Sequence, residues 1–125
     1  MSDVLSREGL LQKTKRRYTE VNLPSGGVAR LQSLTELERS EYNSSLLDKK
    51  GDLDREKLTY GTMMLLCRML VDNDNKRMFL DHEHEILASI DSLDMEVLGD
   101  EARKHIGFDA EYRKDLRKKS EATQD

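Results

Sequence analysis

The chain has 125 residues, long enough for one domain whose core needs neither disulfides nor metal. Charged residues are 37% and aromatics 5%, with no Trp, which argues against a large aromatic-lined ligand cavity. The net charge of −4 is uneven: residues 1–34 are net +3, residues 35–106 net −7 and residues 107–125 neutral, so a nucleic-acid groove, which needs a basic stripe, is not expected.

The opening MSDVLSREGL has neither the basic start nor the apolar block of a secretion signal. Residues 2–14 predict a short helix with Leu5, Leu10 and Leu11 as weak anchors. Lys13-Thr14-Lys15-Arg16-Arg17 follows, four cations in five residues. It reads as a solvated lead-in to the first strand, because nucleic-acid arms usually run longer. Thr19, Val21 and Leu23 then alternate with Tyr18, Glu20 and Asn22, and Val28-Ala29-Arg30-Leu31 follows Pro24-Ser25-Gly26-Gly27. Alternating flanks around a turn with a glycine pair predict a β-hairpin.

From Leu34 the period becomes helical. Thr35-x-x-Glu38 is a capping box, and a helix is expected over about 36–48, with Leu37, Tyr42, Leu46 and Leu47 inward and Gly51 as its stop. Asp54 is expected to cap a helix of about 55–71. The late part of that helix, Thr62 to Val71, is apolar almost all round, as a central helix is. Its longest apolar run, Met63 to Val71, has nine residues with Arg68 inside, well short of the roughly 18 that span a bilayer. Cys67, the lone cysteine, excludes a disulfide framework within the chain and reads as a small core residue.

Asp72 to Lys76 is a turn cluster, and Met78-Phe79-Leu80 a short packed segment. Asp81 is expected to cap a helix of about 82–91, with Ile86, Leu87 and Ile90 at helical spacing. Ser92 or Asp94 then starts another of about 95–106, with Val97, Leu98, Ala102 and Ile106 inward and Gly107 as its stop. Phe108, Tyr112 and Leu116 sit four apart and predict a last helix; Lys118 to Asp125 lacks apolar residues and predicts disorder. The fold class is therefore mainly α, an N-terminal hairpin followed by a small bundle of four to five short helices. Residues 1–17 form an arm, 18–107 the domain, and 108–125 a helix and tail.

Chemistry-bearing clusters are few. Counted from Asp72, a calcium loop would use Asp72, Asp74 and Glu83, but Lys76 falls on a ligand position and Arg77 where the sharp turn needs Gly. His82 and His84 would point about 200° apart on a helix and could share zinc only on a strand. No His or Ser stands in a nucleophile context with Cys67. We expect no enzyme, no catalytic residues, no metal and no cofactor. The methionines at Met63, Met64, Met69, Met78 and Met95 read mostly as core, yet they also suit an adaptable binding surface.

Three stretches together resemble the tail assembly chaperones of long-tailed bacteriophages. The first is Val21-Asn22-Leu23-Pro24-Ser25-Gly26-Gly27 running through Arg30-Leu31 into Leu34-Thr35-x-x-Glu38. The second is the apolar helix ending in Leu70-Val71-Asp72, then a polar turn and Met78-Phe79. The third is the Asp81-to-Ile90 helix followed by Leu93 to Ile106. Asp74-Asn75 replaces the Asp-Gly often found in that turn. The resemblance implies a phage or prophage protein of the host cytoplasm that binds the helical tape measure protein, keeps it soluble, and yields it as tail tube protein arrives. Homo-oligomers would be compatible; nucleic-acid and membrane partners are not expected. The residues expected to meet the client are Leu58, Met63, Leu66, Met69, Leu70, Met78, Phe79, Ile86, Ile90 and Leu98. The alternative is a small helical protein–protein adaptor without catalytic activity, using the Lys13–Arg17 segment as its contact.

Overall fold

The computed structural model describes residues 4–12 and 15–107, with Arg55 and Leu58 described through their backbone. The expected helix at Phe108, Tyr112 and Leu116 and the tail after it lie outside the described residues.

Helix α1 (Arg7–Gln12) is shorter than expected and buries nothing. Ser6 starts it, its hydroxyl accepting from the Gly9 N–H at 3.0 Å. The expected anchors Leu5, Leu10 and Leu11 are 47–59% exposed, and six residues form less than two helical turns. Strands β1 (Tyr18–Asn22) and β2 (Val28–Gln32) form the predicted hairpin, with Val21 opposite Ala29 and Thr19 opposite Leu31. Gly26 and Gly27 have φ of 109° and 90°, values that side chains resist. Val21 and Leu31 face the core.

Helix α2 (Glu36–Ser45) has the complete Thr35–Glu38 capping box. It stops earlier than the sequence suggested. Asp48 binds the N–H groups of Lys50 and Asp52 through its carboxylate, and this local turn competes with another helical turn. Gly51 belongs to that turn, with φ of 87°, and is not the helix stop. Tyr42 faces inward as expected and Leu46 and Leu47 are half-buried, whereas Leu37 is 68% exposed.

The expected helix of 55–71 is three elements. Asp54 caps α3 (Arg55–Thr59), accepting from Glu56 and Lys57 N–H groups. The break falls at Tyr60–Gly61, where glycine weakens a helix by about 1 kcal/mol and the Tyr42 hydroxyl donates to the Gly61 carbonyl. Helix α4 (Gly61–Met69) is the central helix: Leu65, Leu66, Cys67 and Met69 are at most 1% exposed. Leu70–Val71 then leave the helix as β3, antiparallel to β2 and completing a three-stranded sheet β1-β2-β3. Helix carbonyls near this end find side-chain donors. Gln32 donates to the Arg68 carbonyl at 2.8 Å, and Arg77 donates to that of Cys67 at 2.9 and 3.1 Å.

Asp72 organises the next turn by accepting from the Asp74 and Lys76 N–H groups, and Asn75 adopts φ of 63°. Asp81 does not cap the following helix. Its carboxylate pairs with Arg77 at 2.5 Å and faces Arg68 at 3.9 Å, while Glu83 accepts from the Leu80 N–H. A 3₁₀ turn (Asp81–Glu83) and a single-turn α5 (His84–Leu87) replace the longer helix, and only Leu87 of α5 is buried. Helix α6 (Ser92–His105) begins earlier than expected because Asp91 caps it. Asp94 is instead buried and accepts from the Ser25 N–H and hydroxyl, tying α6 to the hairpin turn. Leu98 and Ala102 face inward; Gly99 lets α6 approach α4, since an added Cβ would lie 2.8 Å from Thr62 Cγ2. Gly107, with φ of 87°, follows the helix end. The architecture is thus mainly α with an N-terminal hairpin, and five α-helices follow that hairpin among the described residues.

Candidate functional site

An apolar cleft of about 460 Å³ opens where the hairpin, the chain around β3 and α6 come together. The hairpin supplies Leu23, Val28 and Ala29. Leu70, Val71, Met78 and Phe79 come from β3 and the segment beyond its turn, and Ile90 and Leu98 from the approach to α6 and from α6 itself. Leu70, Val71 and Leu98 are at most 4% exposed and form the floor, whereas Val28 and Met78 are 59% and 54% exposed and stand as lips. The early end of α4 creates this geometry. Turning Leu70 and Val71 into a strand brings the chain back across β2, and the Met78 N–H then binds the Leu70 carbonyl at 3.1 Å.

Polar groups are confined to the margin: Glu20, Arg30, Asp72 and Asn73. Arg30 lies directly across the ladder from Glu20 yet turns to the loop, donating to Asn75 Oδ1 at 2.9 Å and the Asn73 carbonyl at 3.2 Å. Glu20 makes no ion pair among the described residues. The Lys76 and Asp74 N–H groups hold the Asp72 carboxyl below the usual carboxylate range.

Five of the residues expected from sequence to meet a client share this cleft: Leu70, Met78, Phe79, Ile90 and Leu98. The other five are elsewhere or not described. Leu66 and Met69 are 0% exposed and have no surface to offer unless the core opens. Met63 is half-buried against the core. Ile86 is 54% exposed on α5, outside the cleft lining. The side chain of Leu58 lies outside the described residues. Sequence reasoning missed Leu23, Val28, Ala29 and Val71. The hairpin's alternation was the available signal, but pairing the hairpin with Met78 and Ile90 is a long-range event with no local mark.

The basic segment has a structural task in part. Lys13 and Thr14 lie outside the described residues. Arg16 grips the Glu38 carboxylate through two nitrogens at 2.6 and 2.9 Å and donates to the Ser33 carbonyl. Hydrogen bonds from Arg16, outweighing partial burial and joined by those from Thr35, lower the Glu38 carboxyl to about 2. Arg17 donates to the His105 carbonyl at 2.9 Å, linking the start of β1 to the end of α6.

Cys67 is fully enclosed, and burial pushes its thiol above the ordinary value, so the nucleophilic thiolate is disfavoured. His82 and His84 sit in the 3₁₀ turn and α5. The ring of His84 meets the edge of Tyr60 at 5.2 Å, and its buried Nδ1 has no hydrogen-bond partner among the described residues. Among the described residues no group of three or more His, Cys, Asp or Glu is placed to hold a metal ion. No described helix is long and apolar enough to cross a membrane. No family model, curated protein or solved structure matches the chain.

Proposed function

We propose that this chain is a tail assembly chaperone of a long-tailed phage or prophage, and that its cleft receives an apolar helical stretch of the tape measure protein. The observation that carries this reading is the convergence of Leu70, Met78, Phe79, Ile90 and Leu98 in one cleft. Those residues belong to the stretches that resemble the family. Helix-in-groove recognition reads an apolar face at i, i+3, i+4 and i+7. The cleft's volume falls near the lower end of the roughly 300–1,000 Å³ found in ligand sites. It suits a few side chains from one helix face rather than an enclosed ligand. Met78 at the lip can change rotamer to fit unlike client residues, because an unbranched thioether has several accessible shapes.

The acidic middle of the chain keeps a protein with an open apolar cleft soluble. Binding in such a cleft is reversible, as release to arriving tail tube protein requires. The reaction is one of association, and no catalytic residue is assigned to it.

Co-expression with the tape measure protein of the same genome tests the reading. The soluble fraction of the tape measure protein is expected to rise, and Met78→Asp is expected to remove most of that rise while leaving this chain folded. An equally insoluble tape measure protein in the presence of the unaltered chain overturns the proposal. Stable capture of a defined non-tail protein through the same cleft would assign the chain to the adaptor class instead.

A further inference from the structure

We infer that the cleft selects a cationic amphipathic helix: an apolar face for the floor and Lys or Arg residues flanking it for the acidic margin. The inference rests on the reading of the cleft as a client site and adds the charge its occupant must carry. The margin holds two carboxylates, Glu20 and Asp72, and one cation, Arg30. Those charges cancel only in part: Arg30 and Lys76 both act on Asp72, and Glu20 is the carboxylate left unmatched. Arg30 is across the ladder from Glu20, yet its guanidinium is turned to the Asp72 loop, donating to the Asn73 carbonyl and the Asn75 side chain, where its charge acts on Asp72 rather than on Glu20. Glu20 is left exposed and without an ion pair among the described residues.

Asp72 is fixed in place by its own loop. Its Oδ1 accepts from two backbone N–H groups at 2.8 and 3.1 Å, which favour the ionised form. The same bonds hold the carboxylate at the margin rather than letting it swing into solvent. Exposed charges at an interface rim act on partner choice and encounter rate more than on total affinity. An anionic helix would meet like charges at both carboxylates, and a neutral helix would meet the apolar floor alone. A cationic one meets the floor and the unmatched Glu20 together and is steered by the net −4 of the chain.

The test uses the full chain and three labelled synthetic helices of about five turns. They share one Leu/Met face and differ only in flanking residues, which are Lys, Gln or Glu. Fluorescence anisotropy gives each affinity. The Lys helix is expected to bind about threefold tighter than the Gln helix, and the Glu helix most weakly, as a rim charge pair allows. That ranking is expected to collapse at about 1 M salt, where the Debye length is about 3 Å. Glu20→Gln is expected to remove most of the Lys preference with no change in melting temperature, and Met78→Ala to weaken all three helices alike. Equal binding of the Lys and Gln helices, or a Lys preference untouched by Glu20→Gln, overturns the charge inference while leaving the cleft reading intact. No binding by any helix, or binding indifferent to Met78→Ala, removes the cleft reading itself and the inference with it.

Discussion

The contact between Arg16 and Glu38 shows what one residue can change in the meaning of a segment. A run of four cations reads as a solvated lead-in to a strand, but the third is clamped onto a helix cap 22 residues away. Glu38 serves two partners at once, accepting from the Thr35 N–H within the capping box and from the Arg16 guanidinium. Arg68 is the second such residue. It lies 8% exposed in the apolar helix, donating to the Met64 carbonyl, 5.8 Å from the centre of the Tyr42 ring and 3.9 Å from Asp81. A cation there is tolerated because its charge is met on several sides. The lowered Glu38 carboxyl has a consequence in acid. Below pH 4.5 the unfolded chain takes up this proton first, whereas the folded chain resists until about 2. The stabilisation is therefore complete above pH 4.5 and is lost as pH falls towards 2. Glu38→Gln is expected to cost about 1 kcal/mol at neutral pH and to flatten this part of the acid slope. Melting temperatures of both proteins between neutrality and pH 2 check it; parallel acid slopes would deny Glu38 this role.

At the scale of elements, the difference between the predicted and observed helices follows from competition between nearby caps. Asp91, Ser92 and Asp94 are all helix-start residues within four positions, and local sequence does not rank them. Asp91 caps α6 because Asp94 is drawn to Ser25, 69 positions away, once the hairpin turn docks. Asp91→Ala is accordingly expected to cost about 1 kcal/mol, read as a lower denaturant midpoint with unchanged slope. No loss would mean that α6 is held by its packing alone. The hairpin, the Thr35 cap and the Asp72 turn were legible because each is encoded within a few residues. The strand at Leu70–Val71 was not. Eight apolar residues interrupted only by Arg68 continue a helical pattern as well as they begin a strand, and only the free edge of β2 decides between them. Likewise Asp81 has the composition of a cap, but Arg77 and Arg68 claim its carboxylate.

For the whole molecule, the question is how a small apolar core and an apolar cleft coexist in so charged a chain. Both draw on the same stretch from α4 through Phe79, divided where α4 ends. Within the helix, Leu66 and Met69 are sealed; beyond it, Leu70 and Val71 floor the cleft and Met78 stands half out. The sequence showed that these residues were apolar and clustered along the chain, but not which side of the division each would fall on. That division depends on β3 joining the sheet, a contact between residues about forty apart. It also predicts that stability and client binding can be separated. Leu66→Ala removes a fully buried side chain and leaves a cavity in the core, so a loss of about 2–5 kcal/mol is expected. Below the melting temperature of that variant, affinity for a Leu/Met-faced helix should stay near that of the unaltered chain, because the cleft lining is intact. Met78→Ala has the opposite signature. The side chain is 54% exposed, so its removal is expected to cost less than about 1 kcal/mol of stability while weakening the helix severalfold. Thermal melts and anisotropy titrations on the two variants give both quantities. If instead both fall together in each variant, core and cleft are one cooperative unit, and the client would be held by an opened core rather than by a preformed surface.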